Sequence, residues 1–235
     1  MVKASLRPVR KTTVVDGILE QIKGLIRGRA AGDGRLPSER DLAVQLGVSR
    51  PSVREALRTL ELMGVVDTRH GSGSQLAGSG SNVLKAPFEF LIALDQPSIA
   101  DLHETRQVLE VHLAGRAALR RTEPDLEAMR EALDAMKKNL ARPKDVTEHD
   151  LRFHQAVATA SHNRVLERVM HGLHANLHSM MDAAWPGTPD MKTSFKVHVQ
   201  VFEAIRRRRP EAARRAMGRH MEILTVELRQ VRLIP

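Results

Sequence analysis

The chain contains no cysteine and no tyrosine, and aromatic residues make up only 3% of its 235 residues. The absence of cysteine excludes disulfide bonds and thiolate metal sites. The scarcity of aromatic rings disfavours RNA and single-stranded nucleic acids, whose bases commonly stack on such rings. No segment approaches the roughly 20 consecutive apolar residues of a membrane helix, and the basic N-terminus is not followed by a signal-peptide core. We therefore expect a cytoplasmic protein.

Acidic residues are the scarcer of the two charged classes. The chain carries 37 Lys and Arg against 28 Asp and Glu, a net charge of +9. Residues 1–75 hold 13 of the basic and 8 of the acidic side chains, so +5 of this charge lies in the first third. A basic surface of this kind fits a nucleic acid and would also suit an anionic membrane. Because aromatic residues are few, double-stranded DNA is the favoured partner.

The segment over residues 36–73, LPSERDLAVQLGVSRPSVREALRTLELMGVVDTRHGSG, predicts a helix, a turn, a second helix and a short hairpin. Ser38 and Ser49 stand where helix N-caps are needed, and Gly47 where a left-handed C-cap is needed. Pro51 falls in the first turn of the second helix, where a missing amide proton costs least. A helix over Thr12–Arg29 precedes the motif, and the hairpin covers Val65–Leu76.

Polar side chains crowd the start and the outer face of the second helix: Arg50, Ser52, Arg54 and Arg58. A recognition helix places its N-terminal residues against base edges in the major groove of DNA. Arginine on an exposed helix face usually only interacts with water, which is the alternative for these residues. The surrounding motif favours DNA contact.

The same segment closely resembles the winged helix-turn-helix domain of GntR-type bacterial transcription regulators. The matching pieces are LPSER, LA, LG, VSR, VREAL, the spacing from Leu60 to Gly64, and GSG. The resemblance places DNA contacts on seven residues, of which the last two lie in the wing: Arg40, Ser49, Arg50, Ser52, Arg54, His70 and Gly71. Pro51 has no side-chain donor, so a hydroxyl contact that relatives make there is not expected here.

The chain is long enough for two domains. We predict a winged helix-turn-helix domain over residues 1–77, a Gly/Ser-rich linker over residues 78–82, and an all-helical domain over residues 83–235. The predicted fold class is therefore mostly α, with a small β-wing. Helical periods in the second domain predict the following helices: Val83–Leu94, Ser98–Arg121, Pro124–Leu140, Val146–Ser161, Asn163–Ala184, Pro189–Arg208 and Pro210–Val231.

Ten of the eleven histidines lie beyond residue 100, and four polar residues fall on apolar rows of three predicted helices. Asp150 and His154 are spaced i,i+4 on one face, while His198 and His220 belong to two later helices. Burying such groups without partners costs about 2–7 kcal/mol each. Either a divalent metal or a hydrogen-bonded Asp–His network would resolve that cost, and the spacing alone leaves both open.

Residues 100–224 resemble the helical effector-binding (FCD) domain of the FadR-like subfamily of GntR regulators. The similar pieces include ETRQVLE at 104–110, DLRFHQAV at 150–157 and RHMEIL at 219–224. The resemblance implies a divalent transition metal, such as Zn, Ni, Co or Mn, held by Asp150, His154, His198 and His220. The branch that binds long acyl-CoA esters lacks this metal set, so that effector class is disfavoured.

The resemblance also implies that Arg106 points into the pocket and meets the carboxylate of an effector. A guanidinium suits this role because it binds a carboxylate bidentately and stays charged when buried. The alternative is a structural ion pair with Glu110, one turn further along. A stripe of His171, His174 and His178 could line the pocket, hold a second metal, or lie at the surface.

These observations predict a homodimeric, ligand-responsive transcription regulator that binds a pseudopalindromic DNA operator and a small organic acid. The alternative is a metal-dependent enzyme with an accessory DNA-binding domain, because an open metal site can activate water. The sequence has no HExxH motif, no acid placed as a general base and no nucleophile signature, so we expect no enzyme. A nonspecific architectural DNA-binding protein would leave the buried polar set unexplained.

Overall fold

The computed structural model describes residues 13–28, 34–69, 73–77, 83–140, 143–184 and 191–234. The chain divides into two compact units, residues 1–86 and residues 87–235, here called the N-terminal unit and the C-terminal unit. The predicted fold class is confirmed: the described elements are helices apart from one two-stranded antiparallel hairpin. The predicted linker over residues 78–82 lies outside the described residues, so the proposed domain boundaries stay a prediction.

The N-terminal unit has three helices followed by the hairpin: α1 (Val14–Gly28), α2 (Glu39–Leu46), α3 (Arg50–Leu62), β1 (Val66–Arg69) and β2 (Gly73–Leu76). Helix α3 packs against α1, α2 and β1. Its apolar face, with Val53, Ala56, Leu57 and Leu60, joins one buried cluster with Ile18 and Ile22 of α1. This leaves the polar face of α3 towards solvent.

Three local interactions that the sequence predicts set the ends of α2 and the start of α3. The Ser38 hydroxyl accepts a hydrogen bond from the Asp41 amide at 3.2 Å, and the Ser49 hydroxyl accepts one from the Ser52 amide at 3.3 Å. Gly47 ends α2 with φ of 65°, a left-handed conformation that costs a residue with a Cβ more than glycine. Each serine cap contributes about 1 kcal/mol to the stability of its helix.

The hairpin pairs Val66 with Leu76 and Thr68 with Ser74. The segment before α2 extends this pairing, because the Leu36 amide donates to the Ser74 carbonyl at 2.9 Å and the Leu76 amide donates to the Gly34 carbonyl at 2.7 Å. The sequence does not predict this third segment, since so short an extended stretch has no alternation to recognise. The contact ties the chain before α2 to the wing strand.

The C-terminal unit and the chain leading into it form seven described helices: α4 (Lys85–Asp95), α5 (Ile99–Arg120), α6 (Glu123–Asn139), α7 (Pro143–Ala160), α8 (Arg164–Ala184), α9 (Met191–Arg206) and α10 (Pro210–Gln230). Capping boxes begin α5, at Ser98 and Asp101, and α6, at Thr122 and Asp125. Asn163 caps the start of α8, because its side-chain oxygen accepts hydrogen bonds from the backbone amides of residues 165 and 166.

The predicted start of α7 at Val146 is wrong, because the helix begins at Pro143. Proline fits the first turn of a helix, where its missing amide proton has no partner to lose. Thr147, with Asp150 three residues on, is also a helix-start signal and favours the later start. Helix α9 is described from Met191, and the predicted start at Pro189 lies outside the described residues.

Helix α5 occupies a central position, in contact with α7, α8, α9 and α10. The larger apolar cluster includes the fully buried Phe153, Met129 and Met217, and a smaller cluster joins α5, α7 and α8 through Leu113, among others. Because α5 is enclosed, its polar residues Arg106 and Glu110 lie in the interior. The fold therefore brings charged groups of α5 next to the inner faces of α7, α9 and α10.

Candidate functional site

A cluster of four potential metal ligands lies inside the C-terminal unit, and we call it the Asp–His cluster: Asp150, His154, His198 and His220. Helix α7 supplies the first two, one turn apart, and α9 and α10 supply one histidine each. One ligand atom from each residue lies within 4.8 Å of the others. The imidazoles are 0–5% exposed, whereas the Asp150 side chain is 24% exposed. The cluster is thus reached by solvent on the Asp150 side.

The nitrogens of two rings converge on the carboxylate. His198 Nε2 lies 3.0 Å from Asp150 Oδ1, and His154 Nε2 lies 3.7 Å from Asp150 Oδ2. The two Nε2 atoms are 3.2 Å from each other. The His220 ring lies beside both, with centroids 4.2 Å from His198 and 4.9 Å from His154. Nitrogen and oxygen atoms from three helices therefore face one small volume.

The far sides of two rings are held by acceptors. His198 Nδ1 donates a hydrogen bond to the Ser194 carbonyl at 2.8 Å. His154 Nδ1 contacts the Glu110 carboxylate. In a neutral ring, an acceptor in this position favours the proton on Nδ1, and the Nε2 lone pair then faces the cluster.

His220 is different, because neither of its ring nitrogens has a hydrogen-bond partner among the described residues, although both are buried. A buried polar group without a partner costs roughly 1–3 kcal/mol. A cation among the four ligands would remove that cost for one of the two nitrogens, and three imidazoles with one carboxylate suit a divalent transition metal. The residues present therefore fit a metal ion.

The electrostatics at two of the four residues, Asp150 and His220, favour the protonation states that metals bind. Burial alone would raise the pKa of Asp150, but the adjacent imidazoles lower it below its usual range. Burial, together with the charges of His198 and His154, lowers the pKa of His220 well below 6.5. An ionised carboxylate and a neutral imidazole are the forms required for coordination.

A second layer of buried charge adjoins the cluster. Arg106 Nε donates to Glu110 Oε1 at 2.6 Å, and both side chains are under 5% exposed. His174 Nε2 lies 3.3 Å from the same oxygen. Burial would lower the pKa of Arg106 and raise that of Glu110, but their mutual attraction keeps the first raised and the second lowered. Both groups therefore remain charged inside the unit.

Five of the predicted DNA-contacting residues lie on α2, on α3 or at the cap that begins α3. Arg40, Ser49, Arg50 and Arg54 are exposed, and Ser52 is partly exposed. The Ser49 and Ser52 hydroxyls are 2.9 Å apart at the start of α3. The guanidinium of Arg54 donates to both oxygens of Glu39 on α2, with the shortest contact at 2.8 Å from Nη2 to Oε2. This ion pair is half exposed and adds little to the stability of the fold. It holds one edge of the Arg54 guanidinium beside Glu39.

The described part of the chain holds no helix that is both long and apolar enough to cross a membrane.

Comparison with known proteins resolves which family has this combination of domains. Residues 12–76 match "Bacterial regulatory proteins, gntR family", and residues 101–223 match "FCD domain". The chain belongs to the GntR family. The Uxu operon transcriptional regulator of Escherichia coli is 34% identical over 205 residues, which cover 80% of this chain and 76% of that protein.

Further relatives of this GntR chain carry regulator names. The transcriptional repressor NanR of Cronobacter sakazakii is 29% identical over 225 residues, covering 92% of this chain and 85% of that protein. An E. coli protein named for regulation of the L-lactate dehydrogenase operon is 32% identical over 226 residues, covering 92% and 86%. The solved structure of Streptococcus agalactiae GntR superposes with a TM-score of 0.70 at 26% identity, covering 90% and 98%. The protein is a transcription regulator and not an enzyme, as the sequence predicts.

The structure of this GntR protein brings the four predicted metal ligands together and buries Arg106 next to them. The ion pair between Arg106 and Glu110, which was the alternative for the arginine, is present. Arg106 Nη2 is buried without a hydrogen-bond partner among the described residues, so effector binding by this residue stays a prediction. The predicted wing residues His70 and Gly71 lie outside the described residues.

Sequence reasoning missed the contribution of Glu110 and left His174 undecided. Glu110 was considered only as a structural ion-pair partner of Arg106, but it contacts Arg106, His154 and His174 at once. The i,i+4 spacing from Arg106 was the available signal. Within the histidine stripe, His174 is 5% exposed and His171 is partly buried, while the side chain of His178 lies outside the described part.

Proposed function

We propose that this regulator binds a divalent transition metal and a small carboxylate in its C-terminal unit, and that the carboxylate alters its affinity for a DNA operator. The observation that carries the proposal is the buried Asp–His cluster in a chain that also has a winged helix-turn-helix. A hydrogen-bonded network alone would leave both nitrogens of His220 without partners. A metal ligated by all four residues would use one of them.

Asp150, His154, His198 and His220 would hold the ion. When bound, a divalent ion supplies positive charge and an open coordination position for a carboxylate oxygen. Asp150 is the exposed member of the cluster, so an incoming ligand would approach on its side. The native metal could be Zn, Ni, Co or Mn, since all accept this ligand set.

The charges around the site support an anionic effector. Arg106 and Glu110 neutralise each other, and Asp150 carries one negative charge against the two positive charges of a divalent ion. One positive charge is then left inside a largely apolar bundle, and a monocarboxylate would neutralise it. The unpartnered Nη2 of Arg106 supplies a donor for that carboxylate. A relative named for an L-lactate dehydrogenase operon points to the same chemical class, a small hydroxy acid.

The N-terminal unit would read the operator. We propose that α3 enters the major groove, with Arg50, Ser52 and Arg54 towards base edges and phosphates, and Arg40 and Ser49 beside them. The wing, with His70 and Gly71, would contact the neighbouring backbone or minor groove. A homodimer would then recognise two half-sites related by a two-fold axis, so the operator would be pseudopalindromic.

The proposal is tested by finding the operator and then the effector. An operator is selected from random duplex DNA, and its affinity for metal-reconstituted protein is measured by fluorescence anisotropy with each member of a carboxylate library. Elemental analysis gives the metal content in parallel. We expect about one metal per chain and at least one carboxylate that changes operator affinity by 5- to 150-fold, as a coupling of about 1–3 kcal/mol implies. Absence of metal from protein reconstituted with all four ions would refute the metal site, and a response only to uncharged ligands would refute the carboxylate.

A further inference from the structure

Glu110 is an acidic residue in the interior of the C-terminal unit, where it lies on the inner face of α5 and is 2% exposed. Three nitrogen atoms lie around its carboxylate. Arg106 Nε donates to Oε1 at 2.6 Å, and His174 Nε2 lies 3.3 Å from the same oxygen. The other oxygen, Oε2, contacts His154 Nδ1. Oε1 therefore faces Arg106 and His174, whereas Oε2 faces His154.

The two nitrogens of His154 face in different directions. Nδ1 contacts Glu110, whereas Nε2 faces Asp150 at 3.7 Å and His198 at 3.2 Å. An ionised carboxylate has no proton to donate, so the proton of this contact must lie on Nδ1. The neutral ring then presents a lone pair at Nε2, the atom that faces the Asp–His cluster.

We propose that Glu110 is a positioning residue for the metal site, because it fixes both the tautomer and the orientation of His154 through Nδ1. The inference rests on the metal site of the proposed function and assigns Glu110 a role that ligand spacing alone does not give. Metal-bound histidines generally donate their other ring proton to a carboxylate or a carbonyl, and such outer partners control metal affinity.

The other two histidines of the cluster give an internal comparison. His198 has its Nδ1 held by the Ser194 carbonyl at 2.8 Å, a neutral acceptor supplied by its own helix. Neither nitrogen of His220 has a hydrogen-bond partner among the described residues. His154 is therefore the ring of this set that depends on an acid from a different helix, and a substitution on α5 can change it without altering any ligand.

Arg106 is what makes the role of Glu110 testable with an isosteric change. In Glu110→Gln, the side-chain carbonyl must stay towards Arg106, because a guanidinium can only donate. The amide NH₂ then faces His154 Nδ1, which must accept. The ring proton moves to Nε2 and points into the Asp–His cluster, where it opposes metal binding. Shape and volume are retained while the tautomer of His154 is reversed.

The experiment compares wild type with Glu110→Gln and with the control Glu104→Gln, an exposed acid on the same helix. Nitrogen-15 NMR of histidine-labelled, metal-free protein reports the tautomer of His154. Competition with a chromophoric chelator reports Zn²⁺ affinity, and circular dichroism reports folding. We expect Nδ1–H in wild type and in the control, and Nε2–H in Glu110→Gln with Zn²⁺ affinity about 10- to 100-fold lower.

Several results would overturn the inference. One is an Nε2–H tautomer in wild type, which needs no variant and so decides the matter even if Glu110→Gln does not fold. Another is a folded Glu110→Gln protein with the wild-type tautomer and unchanged Zn²⁺ affinity. If wild type takes up no metal of any kind, the proposed metal site fails, while the tautomer comparison still shows whether Glu110 sets His154.

Discussion

The two units of this protein place their predicted binding residues differently, one unit at its surface and the other in its interior. In the N-terminal unit, the predicted binding residues are at the surface, and Arg40, Arg50 and Arg54 lie above an apolar core. In the C-terminal unit, the predicted binding residues lie inside. Eight of the nine buried polar or charged residues in the described parts of the chain belong to this unit, among them Arg106, Glu110 and His198.

This difference follows from the size of the two proposed ligands. A DNA duplex is large and carries its charge on the outside, so an exposed arginine can meet it without prior loss of water. A small carboxylate or a metal ion must be enclosed to be distinguished, and its protein partners must be desolvated before it arrives. Burying charge in the C-terminal unit therefore costs free energy, and the ion pair of Arg106 with Glu110 offsets part of that cost.

The largest expected effect concerns the interior of the C-terminal unit. His198→Ala removes one of the four proposed ligands. We expect the metal affinity to fall by more than ~100-fold, the upper end of the loss when only a hydrogen-bond partner of a ligand is changed. Elemental analysis and chelator competition measure it. His171→Ala, a partly buried histidine outside the Asp–His cluster, should keep wild-type metal content. Wild-type metal content in His198→Ala would mean that the Asp–His cluster does not hold the metal.

Arg106 tests whether buried charge in this unit is used for sensing. Arg106→Ala should weaken the response to the carboxylate effector by tens- to thousands-fold, because an unpaired buried charge costs about 2–5 kcal/mol. Operator affinity without effector should be unchanged, and circular dichroism checks that the variant is folded. Arg116→Ala, a partly exposed arginine on the same helix, is the control. A wild-type effector response in Arg106→Ala would show that Arg106 does not bind the effector and has only a structural role.

Interior histidines also make the C-terminal unit sensitive to acid. Burial, followed by the charge of Arg106, lowers the pKa of His103 from 6.5 to about 4. Between these values the unfolded chain binds a proton that the folded chain does not, so stability is retained above pH 6.5 and is lost as the pH falls towards 4. The loss from His103 is up to about 3 kcal/mol in the free energy of unfolding.

Urea denaturation of metal-free protein between pH 7 and pH 4 measures this effect. His103→Gln can keep a hydrogen bond to Thr225, which lies 2.7 Å from His103 Nε2, and should lose less stability over the interval than wild type. His112→Gln, an exposed histidine on the same helix, should behave as wild type does. Equal losses in wild type and His103→Gln would contradict the assignment.

The surface residues of the N-terminal unit should give smaller individual effects. Arg50→Ala and Arg54→Ala should each weaken specific operator binding by about 1–3 kcal/mol without affecting folding. Fluorescence anisotropy with operator and unrelated DNA separates specific from general binding, and the exposed Arg152→Ala in the other unit serves as control. Unchanged operator affinity in both variants would place the DNA contacts elsewhere.

The two units also differ in how much the sequence could predict. In the N-terminal unit the signals are local: Ser38, Gly47 and Ser49 act within a few residues, and the structure confirms all three. The contact of Leu36 with the wing was missed, because it joins segments about forty residues apart without a periodic pattern.

In the C-terminal unit, spacing places Asp150 and His154 on one face of a helix, but it cannot say which helices meet. The grouping with His198 and His220 came from inward-facing rows and a family resemblance, and the structure brings the four residues together. The contacts of Glu110 with other helices were not predicted, because they depend on α5 lying against α7. The start of α7 was misplaced because Pro143 and Thr147 are both acceptable start signals, and only packing decides between them.

The central claim is that the buried site of the C-terminal unit controls the exposed DNA-binding surface of the other unit. The most direct measurement is operator affinity in four states: metal-reconstituted or metal-free protein, each with and without the effector carboxylate. We predict that the carboxylate changes operator affinity by at least about 5-fold in metal-reconstituted protein, and leaves it unchanged in metal-free protein and in metal-treated Asp150→Asn. An equal shift with and without metal would contradict the claim, as would the absence of a shift with any carboxylate.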